Sequence, residues 1–193
     1  IGGTDAGNYD LQNNSTTTTA NITPYTIDLH ASRVYDGNID VASTLFGSSG
    51  LLNGVNGEQL LLVGDSSVAD KKVANGKVFN GAGDMALDGV NGSLGSNYQI
   101  GSSTLDITPL AITGSITADN KVYDATAAAV THGSLSGVLA GDTVGFDTSG
   151  TFSDKNVNNG KVVSLSSSLN GADAGNYTYT ANTTTTANIT PLA

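Results

Sequence analysis

The nine-residue word Thr-Thr-Thr-Thr-Ala-Asn-Ile-Thr-Pro stands at 16–24 and again at 183–191, and each copy follows an Asp-Ala-Gly-Asn-Tyr word, at 5–9 and 173–177. An eroded third copy lies between them, where Gly95-Ser96-Asn97-Tyr98 is followed by Leu105-Asp106-Ile107-Thr108-Pro109. The Thr-Pro pairs are spaced by 85 and 82 residues, too far apart for one turn of a solenoid and about right for a small β-domain. A repeat of this kind restricts the chain to modules of one fold in tandem. It predicts a module over 25–109, a second over 110–193, and in 1–24 the closing strands of a preceding repeat. Because Ile1 begins inside a repeat word, the chain reads as an internal segment of something longer.

The local patterns specify the fold of the module. Tyr25, Ile27 and Leu29 alternate with Thr26, Asp28 and His30, the signature of a half-buried strand with His30 on its wet face. Leu60-Leu61-Leu62-Val63 reads as a core strand, and Gly47 to Gly57 as a loop. Asn75-Gly76, before Lys77-Val78-Phe79, reads as a tight turn that opens a strand. The second module repeats the order. Ile112 and Ile116 mark its first strand, Val144 and Phe146 stand for Leu60 and Leu62, and Asn159-Gly160 stands for Asn75-Gly76. Tyr177, Tyr179 and Ala181 alternate with Thr178 and Thr180. No stretch combines helical periodicity with caps. The expectation is all-β, with one mostly antiparallel, Ig-like β-sandwich per repeat of roughly 85 residues.

Composition narrows the function classes. A net charge of −10 and a pI near 4.1 argue against nucleic acid, whose phosphates would repel this surface. The chain has no cysteine, which removes disulfides, thiol catalysis and Cys-based zinc sites together. No run approaches the roughly 20 apolar residues of a membrane span.

The words Val34-Tyr35-Asp36-Gly37, its variant Val122-Tyr123-Asp124-Ala125, and Asp-Lys-x-Val-x-Asn-Gly-Lys-Val at 70–78 and 154–162 recur in fixed order with Asp-Ala-Gly-Asn-Tyr and Ile-Thr-Pro. Together they resemble the YDG and MBG-type repeats of very large exported bacterial proteins, notably filamentous-haemagglutinin-like adhesins. The resemblance covers essentially the whole chain. It implies tandem all-β modules, an extracellular or cell-surface location, and a role in adhesion or matrix building, with no catalytic residues to carry over. Ala125 departs from the motif Gly.

Candidate chemistry is sparse. His30 and His132 occupy non-matching positions, and Glu58 is the only glutamate, so neither a nucleophilic triad nor a paired-carboxylate site suggests itself and no enzyme is expected. Asp142, Asp147 and Asp173 lie near Gly and Asn in loops and are the calcium candidates, although no Asp-x-Asp-x-Asp loop is present. The Thr runs read as edge or penultimate strands, or as a sugar- or ice-binding face. Asn21-Ile22-Thr23 and Asn188-Ile189-Thr190 fit the glycan acceptor pattern. Tyr35 and Tyr123 read as core rings whose hydroxyls bond a turn backbone, with Asp36 and Asp124 fixing that turn and Gly37, Gly76 and Gly160 supplying positive φ. Asn176 and Tyr177 complete the motif set. The functional expectation is a structural or adhesive stalk or filament, with a lectin-like glycan-binding module as the alternative. The expected partners are neighbouring copies, joined by strand addition through 1–24, and host or matrix glycans.

Overall fold

The computed structural model describes residues 2–12, 15 and 17–193; Ile1 and Thr16, which belong to the repeat words above, lie outside them. Its elements are strands joined by turns and single-turn 3-10 segments. In the first module, β1 (Tyr25–Val34), β2 (Asp40–Ala42), β3 (Leu51–Asn53), β4 (Gln59–Val63), β5 (Asp65–Ser67), β6 (Ala74–Val78), β7 (Ala86–Val90) and β8 (Tyr98–Thr108) form sheets β1-β8-β6, β3-β4-β7 and β2-β5. The second module follows with β9 (Leu110–Ala118), β10 (Lys121–Val122), β11 (Ala128–Ala129), β12 (Thr131–Ser136), β13 (Gly145–Phe152), β14 (Asn158–Asn170), β15 (Tyr177–Ala181) and β16 (Thr184–Thr190). Its sheets run β12-β9-β15 and β10-β16-β14-β13-β11.

Most pairings are antiparallel, but each module closes by a parallel pairing of its first and last strands. Tyr25 lies opposite Tyr98 and Val34 opposite Thr108, with a register shift after Ile27. In the second module the same closure is split in two: β9 pairs with β15, and β10 with β16. Strand alternation follows the sequence pattern, since Leu29 and Ala31 are buried on β1, and Leu60 and Leu62 on β4.

Three local expectations are corrected. The 47–57 stretch holds the short strand β3, antiparallel to β4, because Leu51 and Leu52 find partners in Leu61 and Leu60. Asn75-Gly76 and Asn159-Gly160 are not tight turns that open strands. They lie within β6 and β14 at register shifts, where glycines at φ +64° and +62° form bulges. The Thr run of 184–186 opens the last strand, β16, rather than a penultimate one; it pairs with β14 alone, as the edge reading expects, while its continuation at Ile189 lies between β10 and β14.

The two cores differ in kind. Ile116, Phe152, Val163, Leu165, Ala187 and Ile189 fill the second module alone. The larger core includes Leu29, Phe46, Leu62, Phe79 and Ile107 of the first module, and runs on through Ile112 and Tyr177 of the second. Only Pro109 separates β8 from β9, so the chain enters the second module with its core already shared.

Candidate functional site: the junction between modules

The shared core ends in a cluster of polar side chains drawn from both modules. Tyr35 is 2% exposed and meets Tyr177 edge to face, with centroids 5.5 Å apart. Both hydroxyls donate to one oxygen of Asp142, at 2.7 Å from Tyr35 and 2.5 Å from Tyr177. Lys71 pairs with the other oxygen, and its Nζ lies 3.9 Å from Asp173. The Leu139 amide donates to the Tyr177 hydroxyl at 3.1 Å, and the Val73 amide to the Asn176 side-chain oxygen at 3.0 Å. Tyr35, Lys71 and Val73 thus come from the first module, and the acids, Asn176 and Tyr177 from the second.

The repeat words place these groups. Asp36 accepts the Asn38 amide at 3.0 Å and Arg33 at 3.0 Å, which fixes the turn after Tyr35. Gly37, at φ +80°, takes the left-handed conformation of that turn, and a Cβ there would stand 3.4 Å from Leu139. Asp70 holds the Lys72 amide at 2.8 Å and Lys77 at 2.7 Å, shaping the loop that carries Lys71 to the second module. A 3-10 turn over Ala174–Asn176 delivers Asn176 and Tyr177, both buried.

The charges are stable at neutral pH. Burial opposes ionisation of Asp142, but hydrogen bonds from Lys71, Tyr177 and Tyr35 outweigh it and hold the carboxyl below its usual range. The bonds to Asp142 and Tyr35 raise Lys71. Burial, then the Asp142 hydrogen bond, pushes Tyr177 up to about 12. An aspartate held by an ammonium and two phenols ties side chains of the two modules to one another.

The sequence expected the Tyr35 hydroxyl to bond a turn backbone, and the structure corrects this: its acceptor is a carboxylate 107 residues away. Tyr123 is half-buried against the second core. Asp124 accepts the Thr126 amide at 2.9 Å and pairs with Lys121 at 2.7 Å, which lowers its pKa to about 2. Ala125 adopts φ +63°, so the turn keeps its shape without the motif Gly. Gly76 and Gly160 donate their amides to Asp106 and Asn188 at 2.6 and 2.7 Å, which engages the Asn188 side chain of the glycan-acceptor pattern. Asp147 is exposed on β13, apart from the Asp142–Asp173 pair. His30 contacts Thr104 at 3.0 Å and His132 contacts Asp119 at 2.9 Å, both on the surface.

Sequence reasoning missed Glu58. It occupies in the first module the place of Asp142: the Tyr98 hydroxyl donates to Glu58, and the Val55 amide donates to that hydroxyl at 2.9 Å. The matching Gly-acid steps, Gly57-Glu58 and Gly141-Asp142, were the available signal.

Compared with known families, the chain matches the YDG domain twice, over residues 17–105 and 108–187. No curated protein and no solved structure matches it. Repeat words, two all-β modules and the paired matches agree: the chain belongs to the YDG-domain family and carries two copies of that domain in tandem.

Proposed function

We propose that this chain is a structural repeat region of a bacterial extracellular or cell-surface protein, acting as a rigid stalk or filament segment in adhesion or matrix building. The observation that carries this reading is the junction: a core shared across Pro109 and a buried Tyr35–Lys71–Asp142–Tyr177 cluster make two modules one stiff unit. Flexible bead-on-string domains need neither. The absence of cysteine, the net charge of −10 and the abundance of hydroxyl side chains suit a soluble rod outside the cell.

Small-angle scattering of the 193-residue chain tests rigidity directly. A single elongated form factor, unchanged between low and high salt, supports the reading. A broad distribution of inter-module distances would overturn it. Antibody labelling of intact cells tests the location, and staining only after lysis would refute it.

A further inference from the structure

Asn-Gly steps recur along the chain, with the asparagine at 53, 56, 75, 80, 91, 159 and 170. Asparagine is a thermolabile residue, most of all before glycine, which has no side chain to screen its amide nitrogen from the carboxamide. The fold treats these steps differently. In the two repeat-word pairs the glycine amide is engaged: Gly76 donates to Asp106 at 2.6 Å and Gly160 to Asn188 at 2.7 Å. Gly54 donates to the Glu58 carbonyl at 2.8 Å. Asn56 and Asn91 are fixed at left-handed φ of +53° and +55°, in turns closed by the Glu58 amide on Val55 and the Ser93 amide on Val90. The carboxamides of Asn80 and Asn91 donate to Ser67 and Gln59, each at 3.2 Å. Asn170-Gly171 is the remaining pair. Its carboxamide and its glycine amide both lack a partner among the described residues, and both residues are exposed. Asn170 is the last residue of β14 and pairs with Gly145. Its side chain lies across that glycine, where a Cβ would stand 2.0 Å from the carboxamide oxygen.

We infer that Asn170-Gly171 is a site of spontaneous covalent modification, and that its conversion loosens the junction between the modules. In the reaction the Gly171 nitrogen gives its proton to base and attacks Cγ of Asn170. The new N–Cγ bond forms as the Cγ–Nδ2 bond breaks, and ammonia leaves. Water then opens the succinimide ring at either carbonyl. Opening at Cγ leaves aspartate; opening at the main-chain carbonyl leaves isoaspartate, whose backbone runs on through Cβ and Cγ. One water enters and one ammonia departs, so no oxidant, reductant or cofactor takes part. Closing the ring requires rotation about the Cα–C bond of Asn170. That rotation breaks only the terminal pair of the β13-β14 ladder, and ladder ends open at far lower cost than interiors. The consequence follows from position. The Gly171 carbonyl accepts the Ala174 amide at 3.3 Å, at the start of the 3-10 turn that carries Asn176 and Tyr177 to the junction. Asp173 accepts the Thr143 amide at 2.9 Å and lies 3.9 Å from the Lys71 ammonium. A lengthened backbone and a new carboxylate at 170 act on both.

The test is peptide mapping by mass spectrometry of the full chain aged in warm, mildly alkaline buffer, with a urea-unfolded sample alongside as the reference in which every Asn-Gly step is open. In the folded chain Asn170 gains the mass of an NH-to-O exchange, with isoaspartate among the products, at least about tenfold faster than Asn75 or Asn159. In the unfolded chain that difference disappears. A folded chain in which Asn170 converts no faster than Asn75 and Asn159 overturns the site. Melting of the same samples reads the effect on the junction. Aged wild type melts below fresh wild type, while Asn170→Gln, which keeps a carboxamide but closes a ring far more slowly, holds its melting temperature through the same ageing. A chain converted at 170 that melts with the unaged one, or an aged Asn170→Gln chain that falls as far as the wild type, overturns the effect on the junction.

Discussion

Replacing Asp142 by Ala should release one module from the other at a cost of about 3 kcal/mol. The carboxylate is only 2% exposed and accepts from two tyrosine hydroxyls and an ammonium. Removing one partner of such a buried set leaves the others uncompensated, at about 3–5 kcal/mol. Lys71 is 34% exposed and can recover water, which places the expected loss at the lower end. For a chain of this length that corresponds to roughly 6–12 °C in melting temperature. Two controls fix the interpretation. Tyr35→Phe deletes one hydroxyl donor to the carboxylate and should cost about 1–2 kcal/mol. Tyr123→Phe removes a hydroxyl with no partner among the described residues and should stay within about 0.5 kcal/mol. Thermal and urea melts of the purified chains measure all three. A loss under about 1 kcal/mol for Asp142→Ala, or equal losses for the two Tyr→Phe changes, would refute the junction as an energetic link.

The junction also has a pH signature. Asp142 is depressed in the fold, so its contribution is present above the ordinary carboxylate pKa of 3.8 and is lost as pH falls through the lower folded value. Tyr177 is raised, so its contribution is full below 10 and fades as pH climbs toward about 12; a melting-temperature profile flat from about pH 5 to 9 and falling outside both limits is the expected outcome. Ala125→Gly should stabilise the chain by about 1 kcal/mol, because Ala125 sits at φ +63°, and a melting temperature that fails to rise would count against strain there. Gly160→Ala meets no atom within 4 Å, so its cost is backbone strain alone, about 1–2 kcal/mol, with Gly160→Asn cheaper in the same melt.

Much of the architecture is legible in the sequence because it rests on short-range pattern. The alternation of Ile27 and Leu29 with Asp28 and His30, the buried pair Leu60 and Leu62, and the recurrence of words two modules apart depend only on neighbours in sequence. Asn75-Gly76 reads as a hairpin turn since a bulge and a turn both need positive φ, and only the pairing of β6 with β8 distinguishes them. The short strand β3 is hidden inside a Gly-rich run, where two leucines give too little signal. Asp142 stands out for its loop chemistry, but its partners come from Lys71 and Tyr35, whose proximity depends on how one module is set against the other. No local rule encodes that angle.

The parallel closure of each module bears on how it would respond to tension. In the first module the chain enters at Tyr25 and leaves at Thr108, and these lie at opposite ends of the paired strands β1 and β8. Pulling on the two termini therefore slides one strand along the other, loading the ladder bonds of Leu29–Val34 against Ser103–Thr108 together rather than opening them one at a time. The second module repeats the arrangement, entering at Leu110 on β9 and leaving past Thr190 on β16. A string of such modules is built to be stretched in shear, the direction in which a β-ladder resists most.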